Sequence, residues 1–187
     1  MAFWTDGGKD PKRNFRFQVQ FAGVDGDNII WWAKKIAKPN YTVAEIKHVY
    51  LGHTFYYPGK VEWQEISMTL VDPADAVAKQ DALQMINKII KASGYYLPGD
   101  PNEKRTLDKK NFVGALGDIV ITQLNGDGTP VEKWTCKNCF FKSVKFSDLD
   151  YENDDLSTID LGIRYDYAIC EIQNDPQQYY KPGAGPQ

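Results

Sequence analysis

The chain has 187 residues, 42% hydrophobic and 13% aromatic, enough for the core of one domain and too apolar for wholesale disorder. Its 25 acidic residues outnumber 22 basic ones, a formal net charge of −3, which argues against a surface built to grip nucleic acid. Three cysteines are an odd count, unlike a disulfide framework, and no apolar run approaches the length that spans a bilayer. The start, MAFWTDGGKDPKRNF, lacks the apolar centre of a signal peptide, so folding in cytoplasm is expected.

Residues 1–13 are polar and glycine-containing and read as an arm. Phe3 and Trp4 either fold it back on the domain or dock it on another subunit. Residues 14–22 alternate as a strand, with Phe15, Phe17, Val19 and Phe21 on one face and Arg16, Gln18 and Gln20 on the other. A turn cluster, residues 23–28, leads to a short apolar strand at Ile29–Ala33 and a basic linker from Lys34 to Asn40. Residues 41–50 read as a strand and 52–59 as the tip of a long hairpin.

The stretch from Phe55 to Ser93 predicts a turn at Tyr57-Pro58-Gly59-Lys60, a long strand and a helix. The apolar phase shifts between Trp63 and Ile66, which predicts a bulge or bend at Gln64-Glu65. Asp72 and Pro73 suit a helix start. Ala78, Ala82, Met85, Ile86 and Ile89 form its buried stripe, and Gly94 is a stop. Residues 95–116 show little periodicity and read as a solvated loop.

Residues 117–124 predict a strand, Asn125-Gly126-Asp127-Gly128 a hairpin turn, and Val131–Phe141 the return strand. Val144 and Phe146 open a further strand before the acidic turn of Asp148–Asp155. Ile159, Leu161, Ile163, Tyr165, Tyr167 and Ile169 alternate as one long strand. After Ile172 the chain becomes a flexible Pro/Gly/Gln tail, residues 173–187. The sum is a mainly β (α+β) domain over 14–172, an antiparallel sandwich or barrel with one flanking helix and a loop insertion at 95–116.

No residue set points to catalysis, and no cofactor is expected. Cys136 and Cys139 form a CxxC without the second pair that zinc needs, and read as buried and reduced. His48 and His53 sit in the hairpin without a nucleophile motif. Asp148, Asp150, Glu152, Asp154 and Asp155 lack EF-hand spacing and read as a solvated turn. Tyr50, Phe55, Tyr56 and Tyr57 are denser than an exposed turn tolerates, so they are core or a contact surface, and their place near a hairpin tip favours contact.

The order of these pieces resembles a known family. NFRFQVQFAG is followed by YYPGKVEWQEISMTLVDPADAVAKQ, then GDIVITQLNGDGTPVEKWTCKNCFF, FSDLDYENDD and LGIRYDYA. Trp63–Asp72, a strand leading to a helix, and the ending Tyr165-Asp166-Tyr167 are its most specific parts. Together they resemble the tail tube proteins of contractile-tailed bacteriophages, over most of residues 14–168.

The resemblance implies six-membered rings stacked into a tube in a virion tail, assembled in the host cytoplasm. The implied partners are further copies of the chain, a sheath protein, and baseplate and terminator proteins. Genomic DNA would pass through the lumen without tight binding. On this reading Tyr50, His53, Phe55, Tyr56, Tyr57, Phe3 and Trp4 make contacts between subunits. Gln18, Gln20, Glu62, Gln64 and Glu65 are candidates for the lumen wall, with the sheath-facing surface as their rival placement. Alternatives within the assembly class are a baseplate–tube initiator and the tube of a phage-like secretion system. From another class comes a monomeric β-barrel that binds a ligand.

Overall fold

In the computed structural model, residues 11–23, 33–73, 82–102, 105–152 and 154–173 are described, together with the backbone of 178–179. Two antiparallel sheets enclose one apolar core. The five-stranded sheet has the order β1 (Phe17–Phe21), β6 (Ile119–Leu124), β7 (Pro130–Lys137), β10 (Tyr167–Ile172), β11 (Gln178–Tyr179). The four-stranded sheet has the order β2 (Ala33–Ile36), β5 (Ile66–Val71), β9 (Thr158–Arg164), β8 (Phe140–Phe146). A third unit, β3 (Tyr41–Tyr50) paired with β4 (His53–Trp63), is a separate two-stranded hairpin.

Alternation builds the core. In β5, Ile66, Met68 and Leu70 are buried while Ser67 is exposed. These three face Ile163, Leu161 and Ile159 of β9 across the ladder. In the other sheet Val19 pairs with Ile121 and Phe21 with Ile119, all buried. Helix α1 (Ala82–Ala92) adds Ala82, Met85, Ile86 and Ile89 at helical spacing. It ends in a Schellman motif: Gly94 at φ 102° donates to Lys91 O, and Tyr95 N–H donates to Ile90 O. Ala78 and the expected helix start lie outside the described residues.

Several elements differ from the sequence reading. Residues 95–116 are not loop throughout, because helix α2 (Lys109–Leu116) occupies their end and is capped by Asp108. The fold therefore carries two helices among its described residues rather than one. Lys34–Ile36 of the supposed basic linker belong to β2 together with Ala33, and Ile29–Trp32 of the expected strand lie outside the described residues. Tyr57-Pro58-Gly59-Lys60 is no turn but part of β4. The bulge or bend expected at Gln64-Glu65 is an interruption between β4 and β5, where the chain leaves the hairpin for a main sheet.

Two other strands break for the same reason. Val131–Phe141 is divided by Asn138 (φ 57°), where the chain leaves β7 for β8 in the opposite sheet. The final long strand divides at Tyr165-Asp166: Ile159, Leu161, Ile163 and Tyr165 point inward, but beyond the break Ala168 and Cys170 do. Tyr167 and Ile169, assigned to the inward face by alternation, are only half-buried. The tail is not wholly without structure, since Gln178 and Tyr179 pair with Glu171 and Cys170.

One buried polar cluster fastens distant segments to the five-stranded sheet. The Glu132 carboxylate accepts hydrogen bonds from Lys12 (2.5 Å), Lys38 (2.9 Å) and the Trp134 indole. Gln123, also buried, accepts from Lys38 at 2.6 Å and donates to Arg13 O. Burial pushes the Glu132 carboxyl up, and the three donors more than reverse this, holding it at about 2.

Candidate assembly surfaces

The β3–β4 hairpin is the most prominent surface feature. Its turn is Leu51-Gly52, with φ of 45° and 79°, the double positive φ of a type I′ turn. The tip is thus two residues, and the expected tip from 52 to 59 is mostly strand. Tyr50 faces His53, His48 faces Phe55, and Ile46 faces Tyr57. The register shifts between Val43, opposite Val61, and Glu45, opposite Pro58. Two residues of β4, Gly59 and Lys60, therefore oppose the single Ala44, a β-bulge. A Cβ on Gly59 would lie 2.9 Å from Ala44 O, so the close approach requires glycine.

Every residue of β3 is exposed. Tyr50 is 62% exposed, Tyr56 59% and Tyr57 55%, and Phe55 is 48% exposed. The aromatics are therefore surface rather than core. Val43, Ile46, Val49, Leu51 and Val61 are exposed with them. An apolar surface on both strands of a hairpin that stands clear of its own domain is unusual in an isolated chain. Sequence reasoning singled out the aromatics and passed over these aliphatics, because half-apolar alternation also describes a strand lying on its own core.

The base of the hairpin is fixed. Trp63 packs edge-on and tilted between Tyr41 and the buried Tyr165, at ring separations of 5.2 and 5.9 Å. The Tyr165 hydroxyl and Gln64 N–H both donate to Asn40 O, at 3.4 and 2.9 Å. Gln64 also donates to Thr42 Oγ1, and Arg164 donates to Glu62 at 3.1 Å.

A second surface is the outward face of the four-stranded sheet. Thr69 donates to Asp160 at 2.6 Å, and Lys142 pairs with Glu65 at 2.5 Å. With Glu62 and Arg164 these form a polar face of mixed sign. The strands that border this sheet, β2 and β8, have no further strand partner among the described residues.

The candidate wall residues do not share one face. Glu62 and Glu65 lie beside the four-stranded sheet through their partners Arg164 and Lys142. Gln18 and Gln20 alternate with the buried Val19 and Phe21, so they face outward from the five-stranded sheet, on the other side of the sandwich. Gln64 is half-buried at the hairpin base. Phe3 and Trp4 lie outside the described residues.

The cysteines sit in the core. All three are buried and unbridged. Burial pushes the Cys136 and Cys170 thiols up, and that of Cys139 up to about 12, so none is a ready thiolate. Among the described residues no group of three or more His, Cys, Asp and Glu is placed to hold a metal, and no helix is long and apolar enough to cross a membrane.

The architecture is that of the tail-tube fold. The chain aligns with a protein in the 6-fold symmetrised baseplate of the anti-feeding prophage at TM-score 0.59 and 14% identity, covering 89% of this chain and 99% of that one. It aligns with one in the sheath/tube terminator of an extracellular contractile injection system, PVC, at TM-score 0.61 and 19% identity, covering 87% and 98%. A protein of the anti-feeding prophage tube-terminating cap aligns at TM-score 0.60 and 17% identity, covering 92% and 99%. No protein-family model and no curated protein matches the sequence.

Proposed function

We propose that this chain is a structural subunit of the inner tube of a contractile-tail machine, assembling as six-membered rings that stack head to tail. The observation that carries this reading is the β3–β4 hairpin, rigidly based on Trp63 and Tyr165 yet with its apolar length exposed. A surface of that kind calls for a second protein, and a copy of the same chain is the simplest supplier. The fold shared with components of tube-containing assemblies supports the same role.

Ring closure is assigned to the two edges of the four-stranded sheet, which carry no further strand among the described residues. Each neighbouring pair in β2-β5-β9-β8 is antiparallel, so β2 and β8 run in opposite directions. A neighbour brought in by rotation alone can then set its β2 against β8 and extend the ladder antiparallel. The polar face bearing Thr69, Asp160, Glu65 and Lys142 becomes the bore, and the hairpin makes the contact between rings. In a phage tail the cargo would be genomic DNA and the surrounding partner a sheath.

The test is direct imaging of the purified protein. Negative-stain micrographs at rising concentration are expected to contain rings with a central bore and then tubes. Sedimentation that finds only monomer at those concentrations would overturn the reading. Replacing Tyr56 and Tyr57 by Ser is expected to abolish tubes and leave the circular dichroism and melting of the monomer intact. Each aromatic well buried in a contact contributes about 1.5–3 kcal/mol. A terminal-ring role is the second reading, because the proteins that share the fold include baseplate, terminator and cap components. Rings that never lengthen into tubes would favour it.

A further inference from the structure

We infer that the tip of the hairpin docks on the opposite end of the next copy, on the loop between β8 and β9. This inference rests on the stacking role just proposed and supplies its missing half, the surface that receives the hairpin. The two features lie at opposite ends of the four-stranded sheet. β5 begins at Ile66, three residues after the hairpin ends at Trp63, and finishes at Val71, opposite Thr158. Asp72 N–H donates to Ser157 O, and Ser147 N–H donates to Thr158 O, which fixes the β8–β9 loop at that far end. The six residues of β5 therefore separate the two by about 20 Å.

The loop is built to meet a partner. Leu149 is 92% exposed, Leu156 67%, and Tyr151 stands fully in solvent. They border an open cleft of about 700 Å³, lined also by Lys34 and Ser147. Three large apolar side chains on one short loop have no role in the domain's own core.

Charge selects the hairpin tip as the occupant. The loop carries five carboxylates, Asp148, Asp150, Glu152, Asp154 and Asp155. From Ile46 to Tyr57 the hairpin carries Lys47, His48 and His53 and no carboxylate. Its apolar members there, Val49, Tyr50, Leu51 and Phe55, are exposed and suit the apolar side chains of the loop. Repeated head to tail, one end of each copy meets the unlike end of the next, a contact that does not close and so makes a filament.

Cross-linking tests the contact in the full chain. The native thiols are buried, so a short bis-maleimide reads out only introduced cysteines. His53→Cys combined with Tyr151→Cys is expected to give a ladder of covalent oligomers under tube-forming conditions, and neither single variant is. A charge test accompanies it. Asp148→Lys with Asp150→Lys is expected to raise the critical concentration for tubes several-fold, and adding Lys47→Glu to recover part of that loss.

Tubes without the ladder, and with no rescue by Lys47→Glu, would overturn this inference and leave the tube reading standing. A ladder from His53→Cys with Leu107→Cys, on the helix side of the domain, would move the receiving surface there. Absence of tubes from the parent protein would remove both readings.

Discussion

At the scale of single residues, Glu132 joins parts of the chain that are far apart in sequence. It binds Lys12 and Lys38, which lie 120 and 94 positions away. Removing its carboxylate leaves the indole N–H of Trp134 and two ammonium groups without their common acceptor. Glu132→Ala is expected to cost about 2 kcal/mol in urea denaturation at neutral pH. The pH dependence has a definite sign. The carboxyl is held at about 2 in the folded chain against an ordinary 4.5. Its stabilisation is therefore complete above 4.5 and fades as pH falls toward 2. The gap between variant and parent should narrow over that interval; a constant gap would mean that the carboxylate is not held ionised. Nothing in Val131-Glu132-Lys133-Trp134 announces this cluster, because a Glu in an alternating strand reads as an outward residue and its partners arrive from remote segments.

At the scale of elements, the hairpin depends on its bulge. Two residues of β4 fit against Ala44 only because Gly59 has no Cβ. Gly59→Val is expected to shift the register between the bulge and the tip, leaving the body of the domain folded. Amide exchange would then quicken from residue 45 to 58, while β5 and β9 stay protected. Slowed or unchanged exchange in the hairpin would count against this account.

The same elements define what could be read in advance. Residues 41–50, the strand after Trp63, the stripe of α1 and the Asn125–Gly128 turn were legible because period and turn chemistry are local. Passage from one sheet to the other was not. Apolar alternation runs on from Ile163 through Tyr165 to Tyr167, yet at Asp166 the inward phase changes and Ala168 is buried instead. Helix α2 was hidden because its eight residues bury only Phe112 and Leu116 and contain Gly114. The exposed surface of the hairpin was legible as an excess of aromatics. Its full extent follows from the pairing of β3 and β4 with each other and with neither main sheet.

At the scale of the whole molecule, the two faces of the sandwich separate the candidate wall residues. In the proposed tube, only one of these faces can line the bore. Glu62 and Glu65 belong with the four-stranded sheet, where Arg164 and Lys142 balance them. Glu62→Lys with Glu65→Lys would remove two negative charges per subunit, add two positive ones and release Arg164 and Lys142 from their partners. Tubes of this variant are expected to form and to retain double-stranded DNA at low salt, with release as salt rises. Gln18→Lys with Gln20→Lys adds positive charge to the opposite face and is expected to produce no retention inside the bore. Equal retention by both variants would count against this choice of face.

In the proposed stacking, the wide separation of hairpin and acidic loop along β5 also bears on growth. A filament of such subunits has two dissimilar extremities, one presenting bare hairpins and the other bare loops. Arriving subunits then meet a different chemistry, and a different rate of capture, at each extremity. Elongation is accordingly asymmetric. A cap that seals one extremity is useless at the other, so starting and stopping such a filament take two distinct proteins.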